Sequence, residues 1–217
     1  SGGPYEWQTP VDYYRFSESK KFNKKETFKT EIGPQSIPTL ESIQGMMPEK
    51  DWTSITDAWA EHNFISGGGR NLMKTMTKRY GKVVNVADFV RKSQMMNYEG
   101  FRALYEGRIG KMFSPTQGIL LWMSVPAQPS FVWQMFHYDL EPNASLFALQ
   151  KACEQIHIQF NETDNGIIQV INHEPKALSR AYAKITIYNI DGSVAAEKSH
   201  EVNTAACSVN KISDIKW

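Results

Sequence analysis

Apolar and polar positions follow two different rhythms, one before about residue 154 and one after it. In the first part, short apolar runs are interspersed with stretches of helical periodicity. Thr27-Phe-Lys-Thr-Glu-Ile32 alternates in polarity and is stopped by Gly33-Pro34, which predicts a short strand. Helical turns are expected over 39–47 and 52–61, followed by a loop through Gly67-Gly-Gly69. Two longer helices are predicted next. One covers 71–80 and ends at Gly81; the other runs from an Asn85 cap to about Glu106, with Gly107 as its stop. Val86, Phe89, Val90, Phe101, Leu104 and Tyr105 form the apolar face of the second. Gly118-Ile-Leu-Leu-Trp-Met123 carries no polar side chain and reads as a strand buried on both faces, as in a parallel sheet covered by helices. A Pro-rich loop (125–129) and a helix (144–153) follow. Residues 1–26 read as loop and linker.

After Glu154 the period becomes two. Residues 156–160, 166–172 and 181–190 alternate, and Asp191-Gly192 is a hairpin signal before 194–202. This is antiparallel β structure, expected to be part of a sandwich. Sandwich domains take about seven strands in about 100 residues, and only 63 residues follow Glu154, so this module is expected to be cut short. The fold class is α/β followed by all-β.

Charge and composition narrow the function. The 217 residues hold 24 Lys plus Arg against 23 Asp plus Glu, a net charge of +1, which leaves no basic footprint for nucleic acid. The run at 118–123 is far too short to span a bilayer, which argues against an integral membrane protein. Cys153 and Cys207 make no disulfide framework, and without CxxC or clustered histidines no metal site is expected. The start, Ser-Gly-Gly-Pro-Tyr, shows no basic or apolar leader and no initiator Met, so the chain is expected to be an excised piece.

Among candidate groups, Glu31 stands out at the C-terminal end of a strand, where β/α barrels place catalytic side chains. A solvated surface carboxylate is the plain alternative. Gly67-Gly-Gly-Arg70 lacks the GK[ST] ending of a phosphate loop and reads as a flexible turn. His137, His157 and His173 are scattered, with His157 expected half-exposed on a strand. Asn143-Ala-Ser145 and Asn161-Glu-Thr163 fit the glycosylation sequon.

Phe28-Lys-Thr-Glu-Ile-Gly-Pro-Gln-Ser-Ile-Pro-Thr39 resembles the nucleophile segment of glycoside hydrolase family 2. The likeness runs on through Gly3-Pro-Tyr5, Leu72 to Asp88, Asp88-Phe-Val-Arg-Lys92, Gly118 to Met123, Trp133-Gln-Met-Phe136, Lys151 to Gln159 and Tyr188-Asn-Ile-Asp-Gly192. It covers about residues 3 to 195 and is nearest the exo-β-glucosaminidase branch, with endo-β-mannosidases a step further off.

The resemblance implies a partial (β/α)8 barrel, its last two strands and helices, over 1–153. A partial immunoglobulin-like β-sandwich would follow over 154–217. It implies a retaining glycosidase, whose two carboxyl groups sit roughly 5 Å apart. Glu31 falls on the nucleophile position and Trp122 on the tryptophan that floors the sugar subsite. Tyr5 and Trp133 are further candidate sugar contacts, while Tyr5 and Trp7 read equally as loop aromatics that cover exposed apolar surface. The acid/base Glu would lie upstream, near the end of the fourth barrel strand, so this chain alone is expected to be inactive. The run Ser124-Val-Pro-Ala-Gln-Pro129 departs from the family pattern: Gln128 stands where a subsite tryptophan is usual, and Val132 replaces a residue that is often His. Specificity for an aminosugar or mannose is therefore not carried over, and a non-catalytic carbohydrate-binding or structural module is the alternative. Expected partners are a carbohydrate substrate and the N-terminal domains of the same enzyme, with self-association through exposed strand edges possible. No cofactor is implied, and a periplasmic or secreted location is.

Overall fold

A computed structural model describes residues 3, 5–16, 27–163 and 166–214. Helix α1 spans Pro10–Phe16, strand β1 Phe28–Ile32, α2 Leu40–Met46, α3 Asp57–Glu61, α4 Gly69–Tyr80 and α5 Val86–Ile109. Strand β2 (Gly118–Leu121) and α6 (Ala144–Ala152) complete the first half. Five strands follow: β3 Ile156–Asn161, β4 Ile167–Asn172, β5 Leu178–Tyr188, β6 Val194–Thr204 and β7 Ser208–Asp214. β1 and β2 pair in parallel, whereas β3-β4-β7 and β5-β6 form antiparallel sheets. A helical half with parallel strands thus precedes a β half, as the change of period predicts.

Local signals account for most helix ends. The Asn85 side chain accepts from the Asp88 N–H and caps α5, and Thr39 does the same for α2 through the Ser42 N–H. Gly81, at φ 81°, closes α4. Along α5, Val86, Phe89, Val90, Met96, Phe101 and Leu104 are buried at helical spacing. Their N-terminal members join a core in which Trp59 stacks on Phe131 at 4.7 Å between ring centres, with Phe64 and Phe89 edge-on. Their C-terminal members pack with α1, α6 and Ile32.

Four expectations need correction. Residues 10–16 are a helix rather than linker: Pro10 opens it, and Tyr13 and Tyr14 are buried against α5. Thr9-Pro10, a capping residue before a first-turn proline, is the signal that marks it. The charged stretch 17–26 lies outside the described residues. Gly107 does not stop α5. It is the point where α1 crosses, and a Cβ there would lie 2.8 Å from the Tyr13 carbonyl oxygen. Strand β2 is not buried on both faces, because among the described residues it pairs only with β1, and Leu120 is 53% exposed. His157 is fully buried, because its side of β3 packs on the end of α5. Strand β7 was not foreseen in the residues; its alternation is broken by polar Asn210 and Lys211.

The junction between the halves is polar. Glu106 of α5 accepts from Arg102 Nε at 2.7 Å and from the Tyr14 hydroxyl, and His157 Nε2 lies 2.9 Å from its Oε1. Gln159 Nε2 donates to the Glu106 carbonyl at 3.0 Å and Gln169 Nε2 to the Gly110 carbonyl. Burial pushes the Glu106 carboxyl up, but the hydrogen bonds from His157, Tyr14 and Arg102 outweigh it and hold the group below the usual carboxylate range.

Candidate active site

Strand β1 presents Glu31 through an irregular register. Phe28 faces Gly118 and Lys29 faces Ile119, but Ile32 faces Leu121, so β1 carries one more residue than β2 across the same span. A bulge of this kind redirects a side chain that the regular pleat would aim elsewhere. Glu31 lies at the bulge and is half-buried. Directly after it, the two strand ends close together. The Trp122 N–H donates to the Ile32 carbonyl at 2.9 Å, and a Cβ on Gly33 would stand 2.5 Å from the Trp122 carbonyl oxygen. Glycine is required at 33 by that approach. The Trp122–Met123 peptide is cis, and Trp122 is 45% exposed.

A second chain segment is laid across Glu31. The Gly3 N–H donates to the Glu31 carbonyl at 3.1 Å and the Gln35 N–H to the Tyr5 carbonyl at 3.1 Å. These bonds bring the Tyr5 hydroxyl to the Glu31 carboxylate, where it donates to Oε2 at 2.5 Å. That hydrogen bond, then burial and the carboxylate charge, hold the Tyr5 phenol above its ordinary pKa. Trp133 supports the same segment: its indole Nε1 donates to the Tyr5 carbonyl at 2.8 Å, and the two rings lie 5.2 Å apart. Of the four residues that the sequence assigned to the site, Glu31, Tyr5 and Trp133 form one connected group. Trp122 joins them through the backbone, at the mouth of the β1-β2 pair.

Behind this group stands a buried polar network that sequence reasoning missed. Ser36 Oγ donates to the Gln134 carbonyl at 2.7 Å and accepts from the Gln134 N–H at 2.9 Å. Asn97 Nδ2 donates to the Ile37 carbonyl at 2.9 Å while its Oδ1 accepts from the Ile37 N–H. Asn143 Nδ2 donates to the Gln134 carbonyl at 2.8 Å. His137 Nδ1 is 2.9 Å from Gln134 Nε2, and burial depresses the His137 pKa to about 4, so the ring is neutral near pH 7. The network ties the segment after Glu31 to the segment after Trp133. Its one trace in the sequence is Asn97, a polar residue within the apolar face of α5.

The other candidates lie apart from these contacts. Gly67 and Gly69 are packed against Asn63 and Phe64, and Gly68 adopts φ 94° at the start of α4, so 67–69 is a tight turn. Gln128 is exposed and its Nε2 lies 3.4 Å from Asn63 Oδ1. Asn143 and Asn161, the two sequon asparagines, are buried. Cys153 and Cys207 are free thiols. Among the described residues, no three His, Cys, Asp or Glu side chains are arranged to hold a metal ion, and no helix is long and apolar enough to cross a membrane.

No protein-family model matches the sequence. Individual relatives do. An exo-β-D-glucosaminidase of Amycolatopsis orientalis is 32% identical over 204 residues, 88% of this chain and 19% of that protein. A mannosylglycoprotein endo-β-mannosidase of Lilium longiflorum is 25% identical over 230 residues, 99% of this chain and 24% of that protein. The structure of an Amycolatopsis orientalis exo-chitosanase in complex with PNP-β-D-glucosamine superposes with a TM-score of 0.84 at 27% identity, over 99% of this chain and 26% of that one. The chain belongs to glycoside hydrolase family 2. It spans about a fifth to a quarter of the length of the family members it matches. A β-D-mannosidase of Dictyoglomus thermophilum shares the fold, with a TM-score of 0.69 at 18% identity. The Glu31 group therefore lies within a family 2 framework that extends over nearly the whole chain.

Proposed function

We propose that this chain carries the nucleophile side of a retaining β-glycosidase site. Glu31 attacks the anomeric carbon, the bond to the leaving oxygen breaks, and a glycosyl–Glu31 ester forms that water later cleaves with net retention. The leaving oxygen takes its proton from a second carboxyl group, which belongs to a part of the protein beyond these 217 residues. Acid assistance of that kind contributes on the order of 10² to 10⁴-fold, so the chain alone is inactive on unactivated glycosides. Residues 1–153 are the closing portion of a (β/α)8 barrel, and 154–217 begin an immunoglobulin-like sandwich. The half-exposed indole of Trp122 offers an apolar face to the C–H face of a pyranose.

The observation that carries this reading is the Tyr5–Glu31 contact. It fixes a half-buried carboxylate at the bulged end of a strand, with the Tyr5 hydroxyl as its one side-chain donor among the described residues. A saturated structural carboxylate would look like Glu106 instead.

The test uses the full-length protein that contains this chain, an aryl β-glycoside panel, and the Glu31→Gln variant. Turnover with retained β configuration in the first product, lost by about 10³-fold or more in the variant, supports the assignment. A mechanism-based fluoroglycoside should leave its label on the peptide containing Glu31. Sugar binding by calorimetry without turnover of any glycoside would instead establish the carbohydrate-binding alternative, toward which exposed Gln128 points.

A further inference from the structure

Trp133 makes three contacts that all lead to the same place. Its indole Nε1 donates to the Tyr5 carbonyl at 2.8 Å, its ring lies 5.2 Å from the Tyr5 ring, and its own carbonyl accepts from the Met123 N–H at 2.7 Å. The first two fix the segment whose hydroxyl holds Glu31. The third fixes the residue that follows Trp122. The indole N–H, the polar group a sugar hydroxyl would use, is already spent on Tyr5.

We propose that Trp133 is a positioning residue, not a sugar contact, and that it acts through Tyr5 to hold the Glu31 carboxylate. The Tyr5 carbonyl receives two donors, the Gln35 N–H and Trp133 Nε1. The backbone donor fixes the chain path but leaves the ring free to turn about its side-chain torsions. Trp133 supplies both the second donor and a tilted aromatic wall at 46° to the Tyr5 plane, which limits that turning. Removing the donor lets the phenol drift from Glu31 Oε2. Misplacement by about 1 Å at a reacting group costs about 10² in rate.

The effect on rate rests on the glycosidase reading above; the effect on Tyr5 does not. Two readouts therefore separate them. In protein labelled with an isotope at tyrosine Cζ, the Tyr5 resonance is assigned by its loss in Tyr5→Phe and titrated with pH. Wild-type Tyr5 should titrate above the ordinary phenol value, and Glu31→Gln should bring it down. Trp133→Phe should bring it down as well. If Trp133→Phe does not fold, the benzothiophene isostere of tryptophan at 133, which keeps the shape and lacks the N–H, replaces it. A Tyr5 titration unchanged by either variant overturns the proposal, whether or not the protein hydrolyses glycosides.

On the full-length protein, Trp133→Phe should lower kcat about tenfold to a hundredfold with KM nearly unchanged. Added to Tyr5→Phe it should cost little more, since both act on one contact. A raised KM with kcat preserved, or additive losses in the double variant, would make Trp133 a sugar contact and overturn the inference.

Discussion

Glu31 and Glu106 sit in the same half of the molecule and are held in opposite ways. Glu106 is 4% exposed and receives Arg102, Tyr14 and the His157 ring on its two oxygens. Glu31 is half-buried, and among the described residues the Tyr5 hydroxyl on Oε2 is its one side-chain hydrogen bond. The difference lies in how much of each carboxylate is already occupied. A buried charge is tolerable only when its lone pairs are satisfied. Glu106 binds three elements into one interface. Glu31 is oriented by Tyr5 but left half-exposed, as the proposed nucleophile role requires.

The comparison can be broken most decisively at Glu106. Glu106→Ala leaves a guanidinium and an imidazole without their shared partner at the junction of α5 and β3, and should cost about 3 to 5 kcal/mol. Urea unfolding would show it as a lower midpoint with the same slope. A loss below about 1 kcal/mol would mean that solvent replaces the carboxylate and that the junction is not the closed interface described here.

Acid should act on the buried polar network that holds His137. Burial holds His137 at about 4, below its unfolded value of about 6.5. Its contribution is therefore complete above pH 6.5 and is lost as pH falls from there through 4, about 3 kcal/mol in all. Glu106, also held low, adds its loss as pH falls below the unfolded carboxylate value of about 4.3 and on through its own lower value. Unfolding free energies measured from pH 7 to pH 4 should fall along this arm, and His137→Gln should flatten it. A flat wild-type profile would show that His137 gains water or a new partner when protonated.

The smallest expected change is in stability at Glu31. Glu31→Gln keeps the side-chain shape and an oxygen that can accept from Tyr5, so unfolding free energy should move by no more than about 0.5 kcal/mol. Thermal unfolding of the two forms checks this. A large destabilisation would place Glu31 in the same structural class as Glu106.

Much of this was legible in the chain, and the reason is local. The Asn85 cap, the Gly81 stop, the Gly33-Pro34 stop and the Asp191-Gly192 turn each work through a backbone conformation or a cap set by neighbouring residues. The place of Glu31 at the end of β1 was legible too, because a strand end followed by Gly-Pro is a local pattern. His157 was not. Alternation told that it lies on one face of β3, but only the approach of α5 made that face the interior. Gly107 was misread for a related reason: a glycine that ends a helix and one that admits a crossing segment look alike until the crossing segment is placed.

The amino-acid sequence by itself determined the order of elements from β1 to β6, the switch from helical to alternating period near residue 154, and the kinship with glycoside hydrolase family 2. Tertiary structure decided what each polar residue does. The hydroxyl of Tyr5 reaches Glu31 across 26 positions, and the indole of Trp133 reaches Tyr5 across 128. No periodicity or short motif encodes contacts at such separations, since they depend on where β1, β2 and the segment after β2 are brought together. Whether a carboxylate is closed in, as Glu106 is, or left half-exposed, as Glu31 is, depends on how many donors that packing delivers to it.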